Sequence, residues 1–198
     1  MPKLKLTYFH GGRGEPARLA LSISGIPFED DRVAGADWPT RKPDTPFGAL
    51  PVLEVDGQTL AQSNAINRYV GKLTDLYPAD AWQAALCDEV MEAVEDINAK
   101  LVATLFLPEE EKRSQREALV RGPLPFYLTR LQQRLETKGG RYFAADRLTV
   151  ADLKVFVLIR QLKSGVLDHV PADLTDNVAP KLVEHYEGVR NDPRVQAY

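Results

Sequence analysis

Residues 51–63 read PVLEVDGQTLAQS, and this stretch decides the fold of the N-terminal third of the chain. Two short runs rich in apolar and β-branched residues flank Asp56-Gly57, a pair that strongly favours a tight β-hairpin. Ser63 then stands at the N-cap of a segment whose apolar residues recur at helical spacing. The stretch therefore predicts two antiparallel strands that run directly into a helix.

The chain before this hairpin predicts a mixed α/β unit. Residues 4–9 alternate between apolar and polar side chains as a strand does, and the glycine-rich residues 11–14 end it. A helix follows as far as Gly25, and residues 28–33 show a second, weaker strand pattern. Pro51 opens the third strand, so it is either an edge residue or part of a cis turn, and the sequence leaves both open.

The second part of the chain shows no convincing strand. Apolar residues recur in steps of three and four from Trp82 to Leu105, which indicates one long amphipathic helix that Pro108 ends. We therefore predict two domains, an α/β domain at residues 1–76 and an all-helical domain at residues 82–198.

Three more helical stretches are predicted in the second domain. The first of them stops at the glycine pair that begins with Gly139. The next starts at Thr149, because Thr149 and Asp152 form a Thr-x-x-Asp version of the capping box. Residues 155–159 of this helix are all apolar, so it is expected to be central. The last helix is predicted over residues 178–190.

The composition is that of an ordinary globular protein of 198 residues and 22.1 kDa, with 44% hydrophobic residues. Twenty-five basic and 28 acidic residues give a net charge of −3, which disfavours nucleic acid and anionic membranes as partners. Residues 1–6 are too short and too polar for a signal peptide, and Cys87 is the single cysteine, so we expect a cytoplasmic protein without disulfides. Cys87 lies beside the apolar face of the long helix and is expected to be packed rather than reactive.

A glycine pattern after the first strand raises one cofactor hypothesis. Gly12-x-Gly14-x-x-Ala17 lies between a strand and a helix, as a dinucleotide-binding fingerprint does. Glu15 would put a carboxylate beside the pyrophosphate, and the strands are too few for such a domain, so this hypothesis is disfavoured. The plainer interpretation is that the glycines let the turn close.

Two further positions could bind a peptide-like ligand. A cis bond before Pro51 would expose the backbone N–H and C=O of Leu50 to an extended peptide. Gln62 and Ser63 stand at a helix N-terminus, where a hydroxyl and free N–H groups can bind a carboxylate. The structural alternatives are a strand edge for Pro51 and a simple N-cap for Ser63.

Taken in order, several segments of the chain resemble the cytosolic glutathione transferases, and most closely their sigma class. These segments are Tyr8-Phe9, Arg13-x-Glu15, Ala36-Asp37-Trp38-Pro39, Pro46-Phe47-Gly48-Ala49-Leu50-Pro51, Leu53-Glu54-Val55-Asp56-Gly57, Gln62-Ser63-x-Ala65-Ile66-x-x-Tyr69 and Thr149-Val150-Ala151-Asp152. The resemblance implies a thioredoxin-like N-terminal domain that binds glutathione, followed by an all-α C-terminal domain that helps to bind the electrophile.

The resemblance also implies that Tyr8 is the catalytic residue and that its hydroxyl donates a hydrogen bond to the glutathione sulfur. Because the thiolate is the nucleophile, such a bond would lower the pKa of the thiol toward the working pH. Arg13 would support the thiolate end. The alternative for Tyr8 is a packing role in the strand.

The glutathione site that the resemblance implies draws on several loops. Its residues are Tyr8, Trp38, Lys42, Leu50, Pro51, Gln62 and Ser63, with Asp96 from a second subunit. Leu50, before a cis Pro51, would pair its backbone with the cysteinyl unit, while Gln62 and Ser63 would hold the γ-glutamyl carboxylate. The indole N–H and the ammonium of the Trp38 and Lys42 side chains would meet the glycyl carboxylate.

An acidic stripe at helical spacing follows the long helix and consists of Asp88, Glu92, Glu95 and Asp96. One interpretation is a solvated face. The resemblance implies instead a two-fold interface, where Asp96 reaches the glutathione amine of the partner subunit. Because Arg13 and Arg68 lie elsewhere in the chain, we expect opposite charges to meet across the boundary of a homodimer. No metal site is predicted, since the three histidines show no ligand spacing.

The sequence thus predicts a homodimeric glutathione transferase that uses glutathione as co-substrate, needs no cofactor and conjugates small apolar electrophiles. The electrophile site is expected near Phe9, His10, Asn98, Val102 and Lys154. Two alternatives stay open: an isomerase acting on a prostaglandin-like endoperoxide, and a carrier that binds glutathione without turnover.

Overall fold

A four-stranded sheet forms the N-terminal part of the protein, whose computed structural model describes residues 2–198. The strands are β1 (Leu4–Tyr8), β2 (Glu29–Arg32), β3 (Val52–Val55) and β4 (Gln58–Ala61), in the order β2-β1-β3-β4. β1 and β2 are parallel, and the other two pairs are antiparallel. The parallel pair needs a crossover, which the helix α1 (Glu15–Ile23) supplies.

The hairpin between β3 and β4 forms as predicted. Asp56 and Gly57 both have positive φ, at 50° and 82°, which a two-residue turn of type I′ requires. The second strand covers only residues 29–32 of the predicted 28–33. The bond between Leu50 and Pro51 is cis, which decides between the two possibilities left open by the sequence.

Two helices complete the N-terminal part. α3 (Ser63–Leu73) begins at the expected place, but its N-cap is Gln62 rather than the predicted Ser63, and no side-chain hydrogen bond caps it. The short helix α2 (Trp38–Arg41) was missed, because its prolines made the segment look irregular. Pro39 occupies the first turn of α2, where the missing N–H has no helical partner to lose.

The C-terminal part is helical throughout, as predicted. Its helices are α4 (Ala81–Val102), α5 (Glu109–Arg121), α6 (Pro123–Glu136), α7 (Val150–Lys163), α8 (Leu174–Val178), α9 (Pro180–Arg190) and α10 (Pro193–Gln196). No helix within residues 2–198 has both the length and the apolar character needed to span a bilayer. The fold is that of a small thioredoxin-like sheet domain followed by a helical domain.

The long helix α4 ends earlier than predicted, at Val102 rather than at Pro108. The Thr104 hydroxyl donates to the carbonyl of Leu101 at 2.7 Å and accepts from the buried guanidinium of Arg116 at 2.9 Å. A hydroxyl bonded in this way offers the backbone an alternative to helix continuation. Leu105, which the periodicity assigned to the helix, lies in the following turn and is 42% exposed.

The last predicted helix begins at Pro180 rather than at residue 178, because Val178 belongs to a short preceding helix, α8, that was not predicted. α8 ends at Val178, and Ala179 leaves the helical region with φ −148° before α9 begins at Pro180. A residue that precedes proline is sterically pushed out of the α conformation, which accounts for the break.

α7 is the central helix, as its apolar run predicted. Its capping box is formed, with the Asp152 carboxylate accepting from the Thr149 N–H at 2.8 Å and from the Thr149 hydroxyl at 2.7 Å. The same carboxylate accepts from the buried His185 ring at 3.0 Å. The N–H of Val150 donates to the carbonyl of Leu76 at 2.8 Å, which ties the start of α7 to the segment that follows the sheet. α7 therefore sets the position of side chains that face the N-terminal domain.

Candidate active site

The end of β1 presents Tyr8 above a glycine-rich turn of 3-10 type, Gly12–Gly14. A Cβ atom on Gly14 would lie 2.6 Å from Cγ of the Tyr8 ring, and one on Gly12 would lie 3.0 Å from the Tyr8 hydroxyl oxygen. Gly12 also has a φ of +65°. The glycines therefore do more than close the turn, because the tyrosine ring packs where their side chains would be.

The Tyr8 hydroxyl accepts a hydrogen bond from the backbone N–H of Arg13 at 3.1 Å. Burial raises the pKa of Tyr8, and the Arg13 N–H only partly opposes this effect. The phenol therefore stays protonated at neutral pH. With an oxygen lone pair engaged by Arg13, the hydroxyl can donate its own proton to a ligand.

The Arg13 side chain points to α4, where its Nε donates to Oε1 of Glu95 at 2.5 Å. The other carboxylate oxygen of Glu95 accepts from Nζ of Lys154 at 3.0 Å and lies 3.4 Å from the Ser63 hydroxyl. Burial alone would raise the pKa of Glu95, but Lys154 and Arg13 more than offset it and hold that pKa below its ordinary value. Glu95 is thus an ionised centre shared by four elements of the chain.

A cavity of about 360 Å³ lies beside this ion pair. Its lining includes the Arg13, Leu50, Pro51, Gln62 and Ser63 of the expected glutathione site, together with Glu95. Gln62 adopts φ 74° and ψ 117°, a conformation that side-chain-bearing residues rarely take. Backbone outliers of this kind cluster at binding and catalytic sites, so Gln62 adds independent weight to this cavity.

A second, smaller cavity of about 190 Å³ contains Trp38, and Leu50 lines both cavities. Arg41 lines the smaller one, but its guanidinium is paired with Asp31. Lys42 is exposed on the same loop and does not line either cavity. The structure therefore brings Trp38 and Leu50 together and leaves Lys42 outside the lining of both cavities.

Only some of the residues expected around the electrophile lie close to one another. The Phe9 ring packs edge-on between Tyr8 and Trp38, with ring centroids 5.5 and 5.7 Å away. His10 is exposed and lies 3.3 Å from Arg32. Phe9 thus packs against two residues of the expected glutathione site without lining either cavity, whereas His10 contacts Arg32 at the surface.

The other three electrophile candidates lie on the helical side. Asn98 and Lys154 line a narrow cleft together with Arg13, while Val102 is 41% exposed at the end of α4. Lys154 itself is 2% exposed, and its ammonium faces Glu95 and Asn64 rather than an open pocket.

The charges of the acidic stripe are largely neutralised within one chain, which corrects the expectation that they meet their partners across a subunit boundary. Arg68 donates to Asp88 and to Glu92, each at 2.8 Å, and Arg13 is paired with Glu95. Asp96 differs from its neighbours. It is exposed, and it accepts only from the hydroxyl of Tyr127, at 3.1 Å, among the contacts found in residues 2–198.

Cys87 is fully buried, and burial raises the pKa of its thiol to about 12. A thiol with this pKa is not a thiolate at neutral pH, so the prediction of a packed, unreactive cysteine is confirmed.

Glu95 is the residue that sequence reasoning missed. The spacing of the acidic stripe was visible, but the approach of Arg13 and Lys154 to one of its members was not. Those two residues lie 82 and 59 positions away from Glu95 in the chain. The only available signal was a lysine within the otherwise apolar stretch 153–159, since a buried ammonium requires a partner.

Comparison with known proteins supports this architecture over its full length. The glutathione S-transferase N-terminal domain matches residues 4–72, and the glutathione S-transferase C-terminal domain matches residues 95–198. A glutathione S-transferase of Anopheles gambiae is 32% identical over 204 residues, covering 100% of this chain and 96% of that protein. The structure of prostaglandin synthase D of Nilaparvata lugens has a TM-score of 0.88 at 32% identity, covering 99% of this chain and 96% of that one.

A sigma class glutathione S-transferase of Fasciola hepatica has a TM-score of 0.84 at 29% identity, covering 100% of this chain and 95% of that one. Two domain matches, a relative above 30% identity and two solved structures thus agree, and the chain belongs to the glutathione S-transferase family.

Proposed function

We propose that this protein conjugates the glutathione thiolate to small electrophiles, with Tyr8 as the residue that activates the thiol. The observation that carries the proposal is the protonated Tyr8 hydroxyl, held at 3.1 Å by the backbone N–H of Arg13, a residue that lines a cavity of about 360 Å³. A donor in this position stabilises a sulfur anion and not a neutral thiol, so it lowers the pKa of the bound thiol.

In this proposal the tripeptide lies along the two cavities that share Leu50. The backbone of Leu50, which lines both, pairs with the cysteinyl unit. Gln62 and Ser63 bind the γ-glutamyl carboxylate, because the free N–H groups at the start of α3 favour an anion. Trp38 and Lys42 hold the glycyl carboxylate at the other end.

The chemistry then needs no cofactor. The thiol proton leaves to solvent, the sulfur lone pair forms a carbon–sulfur bond with the electrophile, and a leaving group departs with its bonding electrons. For an electrophile that accepts addition, the electron pair moves onto the acceptor and a proton from solvent completes the product. Phe9 and Asn98 are the proposed contacts of the electrophile, with Val102 at the mouth of the site.

The proposed assembly is a homodimer in which Asp96 reaches the glutathione amine of the partner subunit. Its support is the exposed carboxylate of Asp96, together with the exposure of Phe47 and Phe126, at 69% and 57%. Phe126 borders a groove of about 550 Å³ between α4 and α6, which the Phe47 side chain of a second copy would fill. The domain boundaries at residues 1–76 and 82–198 and the cytoplasmic location remain predictions.

A second candidate function is glutathione-dependent isomerisation of an endoperoxide. It is favoured by the similarity to prostaglandin synthase D of Nilaparvata lugens, which covers 99% of this chain. In that reaction the same thiolate would attack one oxygen of the peroxide and break the O–O bond, and the other oxygen would take up a proton as a hydroxyl. Loss of a proton from the carbon that bears the sulfur-bound oxygen then forms a ketone and expels the thiolate, so glutathione is regenerated and the demand on Tyr8 is unchanged.

The test is glutathione conjugation to a chlorodinitrobenzene-type substrate, followed by the absorbance of the product. Turnover is expected, and it should be lost when Tyr8 is replaced by phenylalanine. Tight glutathione binding with no turnover of this substrate or of an endoperoxide would contradict the proposal and favour a carrier.

A further inference from the structure

Lys154 is a buried charged residue that has no part in the proposed activation of the thiol by Tyr8. It occupies the first half of α7, in the stretch 153–159 whose other residues are all buried and apolar, and its side chain is 2% exposed. Removing an ammonium from water costs much more than packing a methylene chain gains. A lysine at this position is therefore tolerated only if its partners are well arranged.

Those partners come from the two helices that border the glutathione cavity. Nζ of Lys154 donates to Oε2 of Glu95 on α4 at 3.0 Å and to the side-chain oxygen of Asn64 in the first turn of α3. Burial lowers the pKa of Lys154, and the Glu95 carboxylate opposes that effect. Both Glu95 and Asn64 line the cavity of about 360 Å³, so the ammonium stands directly behind its wall.

Glu95 connects Lys154 to the Tyr8 hydroxyl by way of Arg13. Its second oxygen accepts from Nε of Arg13 at 2.5 Å, and the backbone N–H of Arg13 donates to the Tyr8 hydroxyl at 3.1 Å. Arg13 lies in a turn between two glycines, where the backbone has little intrinsic stiffness. The ion pair with Glu95 is the contact that fixes this turn from the helical side.

We propose that Lys154 is a positioning residue for thiol activation: through Glu95 and Arg13 it holds the donor that orients the Tyr8 hydroxyl, and it leaves the charge of Glu95 compensated. This inference rests on the proposed role of Tyr8 and extends it to a side chain that does not touch glutathione. It assigns α7, a helix of the C-terminal domain, a part in the chemistry of the N-terminal one.

Loss of the Lys154 charge is expected to raise the pKa of the bound glutathione thiol. In Lys154→Met the carboxylate of Glu95 has one counter-charge instead of two, and the added negative potential disfavours a thiolate nearby. Release of Arg13 from its fixed position disfavours it as well, because the Tyr8 donor is then less well aimed. A unit charge acting over about 10 Å at an effective dielectric constant of about 20 corresponds to roughly one pKa unit. The bound thiol is expected to titrate about one unit higher, with about a tenfold loss of conjugation rate at neutral pH.

The experiment measures the ultraviolet absorbance of bound glutathione thiolate against pH, and kcat/KM against pH, for wild type and Lys154→Met. Lys163→Met is the matched control, since Lys163 ends the same helix and pairs with Asp176 at 2.5 Å outside the site. The control should keep the wild-type titration, even though it also loses a lysine and an ion pair. A merely structural role for Lys154 would lower the melting temperature of Lys154→Met without moving the titration, and that result would overturn the proposal.

Two further variants at Lys154 separate the effect of its charge from an effect on folding. Should Lys154→Met fail to fold, Lys154→Gln removes the charge while its amide still donates to Glu95, and the thiol should again titrate higher. Lys154→Arg keeps the charge, so its titration should return to that of wild type, and an equally large shift in this variant would contradict the role of the charge. If wild type binds glutathione as thiolate yet conjugates nothing, the proposed function fails while the titration still decides the role of Lys154.

Discussion

Replacing Tyr8 by phenylalanine removes only the hydroxyl that is proposed to activate the thiol. The Tyr8→Phe variant keeps the ring, which occupies the space where a Cβ on Gly14 would lie only 2.6 Å from Cγ. It deletes the hydroxyl that is the acceptor for the Arg13 N–H at 3.1 Å. The fold should therefore survive, and the glutathione sulfur should lose its donor.

The effect on stability is expected to be small. One partly buried N–H loses its acceptor, which costs about 1 kcal/mol. For a chain of this length that corresponds to a fall in melting temperature of roughly 2–4 °C. The variant should therefore be fully folded under assay conditions.

The effect on the thiol is expected to be large. A hydrogen bond to a charged acceptor contributes roughly 1.5–3 kcal/mol, and one pKa unit corresponds to about 1.36 kcal/mol. The pKa of bound glutathione should therefore rise by about one to two units. At neutral pH the thiolate fraction, and the conjugation rate with it, should fall by roughly tenfold to a hundredfold. Affinity for glutathione should change little, since in the proposed site Leu50, Gln62 and Ser63 bind the rest of the tripeptide.

The assay combines the ultraviolet absorbance of the bound thiolate against pH with turnover of a chlorodinitrobenzene-type substrate. Tyr186→Phe is a matched control, because Tyr186 stacks on Phe156 in the helical part and its loss changes the tyrosine background equally. If Tyr8→Phe titrates at the same pH as the control and turns over normally, Tyr8 is a packing residue. Arg13 would then be the first group to test as activator.

Three other outcomes follow from the geometry. Asp96→Asn should weaken glutathione binding about ten- to a hundredfold, since a hydrogen bond to a charged group contributes roughly 1.5–3 kcal/mol. Calorimetry measures this affinity, and an unchanged value would mean that Asp96 is only a solvated surface residue. Sedimentation should give about twice the chain mass of 22.1 kDa for wild type and a smaller average mass for Phe47→Ser, whereas a monomeric wild type would rule out the dimer. The depressed pKa of Glu95 contributes stability that is present above its ordinary value of 4.5 and lost as the pH falls through the lower folded value. Denaturant unfolding of Glu95→Gln should therefore depend less on pH in that acidic range than unfolding of wild type, and identical pH profiles would mean that the ion pair adds no net stability.

Local signals in the sequence were sufficient for most of the fold. Asp56-Gly57 specifies its turn by backbone sterics, and Thr149 with Asp152 specifies a helix start by hydrogen bonds within four residues. Each depends on neighbours in the chain, so each could be predicted. The end of α4 could not, because the Thr104 hydroxyl accepts from Arg116 on another helix.

The site divides in the same way. Tyr8, Leu50 and Ser63 could be proposed from the sequence because their flanking motifs carry the resemblance, and the structure places Leu50 and Ser63 at one cavity. The ion pairs of Glu95 with Arg13 and Lys154 were not found, because they join residues from three distant segments. Charge spacing along one helix shows that carboxylates share a face, but it does not show which element lies opposite.

Trp38, which packs edge-on against Phe9, is an intrinsic fluorescent probe of the proposed glutathione site. The chain has two tryptophans, and Trp38 lines the cavity that Leu50 shares, whereas Trp82 is 66% exposed at the start of α4. A ligand that enters the cavity changes the polarity around one indole and leaves the other in water. Fluorescence of a Trp82→Phe variant would therefore report occupancy of the Trp38 subsite in real time, without any label on the protein or the ligand.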